Sequence, residues 1–318
     1  MFLFQSIYKT VFMGTPAFAV PSLRALAAAE NVTLVATNPD RPAGRGNVVA
    51  PTPVKAEAER LGIPVFQPEK ARDPDAVARF AAEKPDLIVV AAYGHILPKS
   101  ILDIPKYGCI NVHASILPRY RGAAPINWAV ARGETVTGVT IMKMDVGMDT
   151  GPILHVREMP IGDDDTAETI YPRLAELGAQ ALVEALEKLH DDSLVATPQD
   201  DALATMAPML KKEHGRVDWS LGARDIRNLV RGMTPWPSVT AMHGGKGLRL
   251  VAVSVVSEEG SAGAPGSVLS AGKDGVVVAC GSGALRLDIV QPEGGKPMPS
   301  GAWAIGRRVK AGEGMGWT

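Results

Sequence analysis

The feature that most constrains this chain is an alternation in its first half between short, almost unbroken apolar runs and stretches of helical period. Residues 86–92 and 109–113 are apolar nearly throughout. A strand reads this way when helices cover both faces of a parallel sheet, because neither face then needs polar residues. Residues 10–13, 32–37 and 63–66 are further runs of the same kind. Residues 18–29, 54–61 and 74–83 carry helical spacing between them. Pro21 lies near the start of the first helix, and Asp73-Pro74 opens the third with a capping residue and a proline at its first position. This βαβ series predicts an α/β fold with a doubly wound parallel sheet. Its ligand crevice should lie beyond the carboxyl ends of the strands. The stretch 38–53 reads as a long Pro/Gly/Arg loop, and Thr166 opens an amphipathic helix running to about residue 189.

The pattern then changes. Residues 191–209 dissolve into Asp, Ser, Thr, Pro and Ala, which predicts a linker. After a helical stretch at 223–231, short β-rich runs at 248–256, 267–270, 275–280 and 284–290 are separated by glycine-containing turns. That spacing predicts a small β domain. The expected boundaries are 1–190, 191–209 and 210–318, which suits a chain of 318 residues. Net charge is −1, but it is unevenly spread. Residues 1–205 hold 19 Lys+Arg against 25 Asp+Glu, and residues 206–318 hold 14 against 9. A basic last third is consistent with nucleic-acid contact and equally with ordinary scatter of charge. The two cysteines, Cys109 and Cys280, form neither a disulfide framework nor a metal cluster, and they suit a reducing cytoplasm. Cys109 reads as core packing. The start, MFLFQSIYKTVFMG, lacks a basic region and a long apolar core, so no signal peptide is expected. No apolar run approaches the ~20 residues that would span a bilayer.

The chemistry concentrates in GCINVHASILPRYRG at 108–122 and GMDTG at 147–151. Asn111 and His113 are two apart, so on a strand they share a face. An amide and an imidazole can hydrogen-bond a developing oxyanion. The Asp149 carboxylate, between glycines in a later loop, can orient the imidazole and assist proton movement. Spacing alone leaves open a buried strand with satisfied polar groups. The GTPAF turn after the first strand has one glycine, Gly14, where a dinucleotide fingerprint needs G-x-G-x-x-G, so a nicotinamide-binding domain is rejected.

The 108–122 stretch resembles the folate-dependent formyltransferases. The likeness runs nearly end to end through VFMGTPAFAVPSL, PDRPAGRG, AYGHILP, GVTIMKMDVGMDTG and KKEHGRVDWS, in that order. These blocks narrow it to the formyltransferases that act on methionyl initiator tRNA. The resemblance implies formyl transfer from 10-formyltetrahydrofolate to the α-amino group of the tRNA-bound methionine, in the cytoplasm, by an enzyme with an OB-like C-terminal barrel that contacts tRNA. Asn111, His113 and Asp149 would be catalytic. Ser115, Ile116, Leu117 and Pro118 would cradle the folate, with backbone groups facing the pterin. Arg41 and Arg45, in the 38–47 loop, would meet the tRNA acceptor end. The family usually continues GRG with two lysines, where this chain has Asn47 and Val48, so phosphate attraction there should be weaker. Lys211, Lys212, Arg216, Arg224, Arg227 and Arg231 could form a further basic surface. No metal is expected, because no His/Cys/Asp/Glu cluster has ligand spacing, and nothing demands more than a monomer. The alternative is a formyltransferase for an amino sugar nucleotide or another small amine, which should lack the PDRPAGRG loop and the basic β domain.

Overall fold

The structure, a computed structural model, describes residues 8–43, 48–260 and 263–316. The chain divides into two compact units: Met1–Pro125 with Val136–Pro160 and Tyr171–Pro208, and Ile126–Thr135 with Ile161–Ile170 and Met209–Thr318.

In chain order the elements up to residue 190 are β1 (Lys9–Gly14), α1 (Val20–Ala29), β2 (Asn31–Ala36), β3 (Arg41–Ala43), β4 (Val48–Ala50), α2 (Pro53–Arg60), β5 (Val65–Phe66), α3 (Pro74–Glu83), β6 (Leu87–Ala91), α4 (Lys99–Leu102), β7 (Cys109–His113), α5 (Pro125–Ala131), β8 (Val136–Lys143), β9 (Ile153–Pro160) and α6 (Ala167–His190). The main sheet of the first unit runs β5-β2-β1-β6-β7-β8-β9. β5 through β7 are parallel, as the unbroken apolar runs predict. β8 and β9 are antiparallel additions at one edge, so the sheet is mixed. The expected loop at 38–53 also differs from the structure, for β3 and β4 pair there as a small antiparallel hairpin.

Local chemistry explains the helix starts. Thr52 accepts a hydrogen bond from the Lys55 amide at 3.1 Å, and Pro53 takes the first position of α2, where an amide proton has no partner to lose. Pro74 does the same for α3, but the Asp73 side chain makes no capping bond. Thr166 and Thr169 cap α6 reciprocally, each hydroxyl accepting from the other's amide at 3.2 and 2.9 Å.

One sheet face is sealed by Phe80 of α3 and Ile101 of α4 against Val11, Met13, Ile88 and Val90, all at most 4% exposed. Each such side chain contributes about 1.5–3 kcal/mol by leaving water. Cys109 belongs to this core, and burial pushes its thiol up to about 12, which suits packing rather than reactivity. On the other face α6 approaches so closely that a Cβ at Gly178 would lie 2.9 Å from Val112 Cγ1. Val112 is the residue between Asn111 and His113, so α6 backs the strand that carries them.

The second unit contains α7 (Ala223–Gly232), β10 (Val239–His243), β11 (Lys246–Ser257), β12 (Val268–Gly272), β13 (Gly275–Ala279), β14 (Ala284–Pro292), β15 (Met298–Pro299) and α8 (Ser300–Arg307). Its antiparallel sheet runs β10-β11-β14-β13-β12, with β15 on β14. Register shifts near Ala252 and between Val255 and Ser257 bend the 12-residue β11. Ile226 and Val230 of α7 are buried, as are Leu250, Leu285 and Val290 of the sheet. Among the described residues no helix is long and apolar enough to cross a membrane.

Candidate functional site

β7 ends at the carboxyl end of the parallel strands, where sheets of this kind bind ligands, and its alternation puts Asn111 and His113 on one face there. Asn111 is half-buried, and among the described residues its carboxamide makes no hydrogen bond. Both its donors are therefore uncommitted. His113 is 5% exposed, and its Nε2 lies 3.0 Å from the Tyr120 carbonyl oxygen. That oxygen can only accept, so Nε2 carries a proton. Nδ1 is 3.6 Å from Asp149 Oδ2, beyond a hydrogen bond but within charge-pairing range. Nδ1 is thus the ring nitrogen turned toward the carboxylate.

Asp149 adopts φ 54°, in the left-handed region, inside a loop folded by Asp145. Asp145 Oδ1 accepts from the Gly147 amide at 2.9 Å and from the Thr150 hydroxyl at 2.7 Å. Asp149 Oδ2 also accepts from the Gly122 amide at 2.8 Å. The same oxygen therefore faces a fixed backbone dipole and the His113 ring, an arrangement suited to holding an imidazolium.

The Ser115, Ile116, Leu117 and Pro118 loop follows β7 directly. Thr140, wholly buried on β8, sets its shape: the hydroxyl donates to the Ser115 carbonyl at 2.7 Å and accepts from the Leu117 amide at 3.0 Å. The Ile116 carbonyl accepts from the Arg119 amide at 3.1 Å, and the Ser115 hydroxyl donates to the Arg119 carbonyl at 2.7 Å. Several backbone groups expected to face a pterin are thus paired within the protein, and what the loop offers is a pre-shaped wall.

Arg41 starts β3, exposed, with Nη2 3.7 Å from Glu69 Oε2. Arg45 lies outside the described residues. Beneath the hairpin, Asp40 is held by Lys55 and Gln67, and those hydrogen bonds keep its carboxyl below the usual carboxylate range. The arginines of α7 are committed within the second unit. Arg227 pairs with Asp163 and Asp164, each at 3.0 Å, and Arg231 donates to the Asp165 carbonyl at 2.8 Å. Arg224 pairs with Glu258, Nε to Oε2 at 3.1 Å. Asp163 and Asp164 therefore offset the charge of Arg227, Glu258 offsets that of Arg224, and Arg231 is spent on backbone carbonyls. Among the described residues no group of three or more His, Cys, Asp or Glu could hold a metal ion.

Two residues at this site carry no signal in the sequence pattern. Thr140 sits in an apolar strand, where a threonine is unremarkable. Gln199 lies in the polar stretch expected as a linker, yet its carboxamide reaches the Asp149 loop.

Residues 8–186 match the family model described as formyl transferase, and residues 209–308 match its C-terminal domain. The methionyl-tRNA formyltransferase of Citrifermentans bemidjiense is 52% identical over 305 residues, covering 96% of this chain and 95% of that protein. That of Sorangium cellulosum is 50% identical over 309 residues, covering 97% and 99%. Among solved structures, the Helicobacter canadensis N-formyltransferase in complex with folinic acid and dTDP-3-aminofucose superposes with a TM-score of 0.64 at 16% identity, covering 88% of this chain and 99% of that one. HypX of Aquifex aeolicus in complex with tetrahydrofolic acid gives 0.58 at 21% identity, covering 94% of this chain and 47% of that one. At those identities the structural likeness speaks to the fold alone. The chain belongs to the formyl transferase family, and within it to the methionyl-tRNA formyltransferases.

Proposed function

We propose that this chain transfers the formyl group of 10-formyltetrahydrofolate to the α-amino group of methionine esterified to initiator tRNA, with Asn111, His113 and Asp149 as the reacting set. The reaction belongs to translation initiation and so to the cytoplasm. The observation that carries the site assignment is the juxtaposition at the end of β7 of an uncommitted Asn111 carboxamide and a His113 ring whose Nδ1 faces Asp149.

The amine nitrogen attacks the formyl carbon, and the carbonyl oxygen becomes an oxyanion. Asn111 donates to that oxygen. The amine proton passes to His113 Nδ1, directly or through water, and Asp149 stabilises the resulting imidazolium. The proton then moves to the folate nitrogen as its bond to the formyl carbon breaks, leaving tetrahydrofolate and formylated methionyl-tRNA. The Ser115–Pro118 loop, shaped by Thr140, supports the folate. Arg41 and Arg45 meet the acceptor end of the tRNA, with Asn47 and Val48 adding no charge there.

The test is formylation of methionyl initiator tRNA by the purified protein and 10-formyltetrahydrofolate, with methionyl elongator tRNA as control. Fast formylation of the initiator alone supports the proposal. Failure with both tRNAs, while the donor is still consumed with an amino sugar nucleotide, would overturn the acceptor assignment.

A further inference from the structure

The segment 199–207 lies against the site. Gln199 Nε2 donates to the Asp149 carbonyl at 2.8 Å and to the Gly151 carbonyl at 2.7 Å, clamping the peptide on both sides of Thr150. Gln199 Oε1 accepts from Arg121 Nε at 3.0 Å and Nη2 at 2.8 Å. Arg121 is only 6% exposed, and its Nη2 also reaches Asp201 Oδ1 at 2.7 Å. Its backbone pairs on both sides: its amide donates to the Thr205 carbonyl at 2.8 Å, and its carbonyl accepts from Ala207 at 2.7 Å. The neighbouring Gly122 amide is the one that binds Asp149 Oδ2.

These contacts form a closed circuit. Asp149 is gripped at its carbonyl by Gln199 and at its carboxylate by Gly122, and Arg121 joins the two grips. A two-acceptor grip by one carboxamide fixes both position and rotation of the loop, and the bidentate guanidinium fixes the carboxamide's own flip state. A left-handed, non-glycine residue such as Asp149 keeps its conformation only when its surroundings over-determine it.

We propose that Gln199 and Arg121 are positioning residues for the reaction, which hold the Asp149 carboxylate in register with His113 and act through it. This inference rests on the reading of Asp149 as catalytic. Loss of the clamp leaves substrate contacts in place and lets the carboxylate drift, and displacement of a reacting group by about 1 Å costs on the order of 10²-fold in rate.

The test is a double-mutant cycle in single-turnover formylation, with KM for donor and tRNA measured alongside. Gln199→Ala should lower kcat about 10- to 100-fold with both KM values within about twofold of the parent. In the Asp149→Ala background the same substitution should change kcat by less than about twofold, since no carboxylate remains to be placed. Gln199→Glu keeps the one oxygen that accepts from Arg121 but replaces the donor to the 149 and 151 carbonyls with a second acceptor oxygen. It should show at least the same kcat loss, with both KM values within about twofold of the parent when assayed well below its own unfolding midpoint, which separates positioning from folding. Equal losses from Gln199→Ala in both backgrounds, a loss confined to KM, or parental kcat in Gln199→Glu would each overturn the proposal. Full turnover by Asp149→Ala alone would instead overturn the catalytic reading of Asp149, and the clamp with it.

Discussion

Replacing Gly122 with alanine tests the geometry of the site at a single atom. Gly122 has φ 119°, in the region that disfavours side chains. A Cβ there would lie 2.7 Å from the Ala207 carbonyl oxygen and 3.3 Å from its carbon. Both are backbone atoms, so relief requires the 205–207 segment to retreat by about 0.7 Å or more to reach van der Waals contact. That movement strains the Arg121–Thr205 and Arg121–Ala207 backbone bonds and drags the Gly122 amide from Asp149 Oδ2. The left-handed penalty is about 1–2 kcal/mol, and the stretched amide–carboxylate bond is worth about 1.5–3 kcal/mol. The expected loss of stability is therefore about 2.5–5 kcal/mol, read as the urea midpoint at constant slope. With Asp149 released on one side, turnover should fall on the order of 10-fold or more at saturating substrates. A Gly122→Ala protein of unchanged stability and unchanged turnover would refute the argument that this backbone contact holds the carboxylate.

Other outcomes follow from individual contacts. Thr140→Val removes a hydroxyl that serves both the Ser115 carbonyl and the Leu117 amide. It should cost about 2–4 kcal/mol and raise KM for the formyl donor more than it lowers kcat; an unchanged donor KM would mean that Thr140 does not shape the folate wall. Glu57 is held by Arg24 and Arg60, whose hydrogen bonds bring its carboxyl down to about 2. Because the folded value lies below the unfolded one, the advantage of the parent over Glu57→Gln should be full above pH 4.5, shrink as pH falls and vanish below about 2; urea titrations at neutral pH and at pH 3 check this, and an advantage that grows with acidity would contradict it. Arg227→Ala should change initiator tRNA affinity by less than about twofold and leave its salt slope unaltered, since that guanidinium is already occupied by Asp163 and Asp164; a tenfold loss in filter binding would show that the arginine serves RNA.

The parts of this molecule legible in its sequence are those governed by local period. Asn111 and His113 could be placed together at a strand's end because side chains alternate, and the unbroken apolar runs give the parallel core because both faces are covered. β8 and β9 escape that reading, since an apolar run does not state the direction in which it pairs. The β3–β4 hairpin falls in a Pro/Gly/Arg stretch whose composition suggests a loop. Asp149 sits 36 positions from His113, and no periodicity links them; residue chemistry makes the pair plausible, and only the family resemblance decides for it. Gln199 was hidden more deeply, because a carboxamide in a polar stretch has no pattern until the chain folds back on it. The α7 arginines give the converse lesson. Counting charge points to a basic face, but Asp163 and Asp164, some sixty positions earlier, pair with Arg227, and Glu258 pairs with Arg224.

The most direct test of the account is single-turnover formylation of methionyl initiator tRNA by Asn111→Ala, His113→Ala and Asp149→Ala, each with its tRNA affinity measured. The account predicts that every variant loses at least about 10²-fold in rate while binding tRNA like the parent. Near-parental rates in all three would contradict it and move the chemistry away from the end of β7.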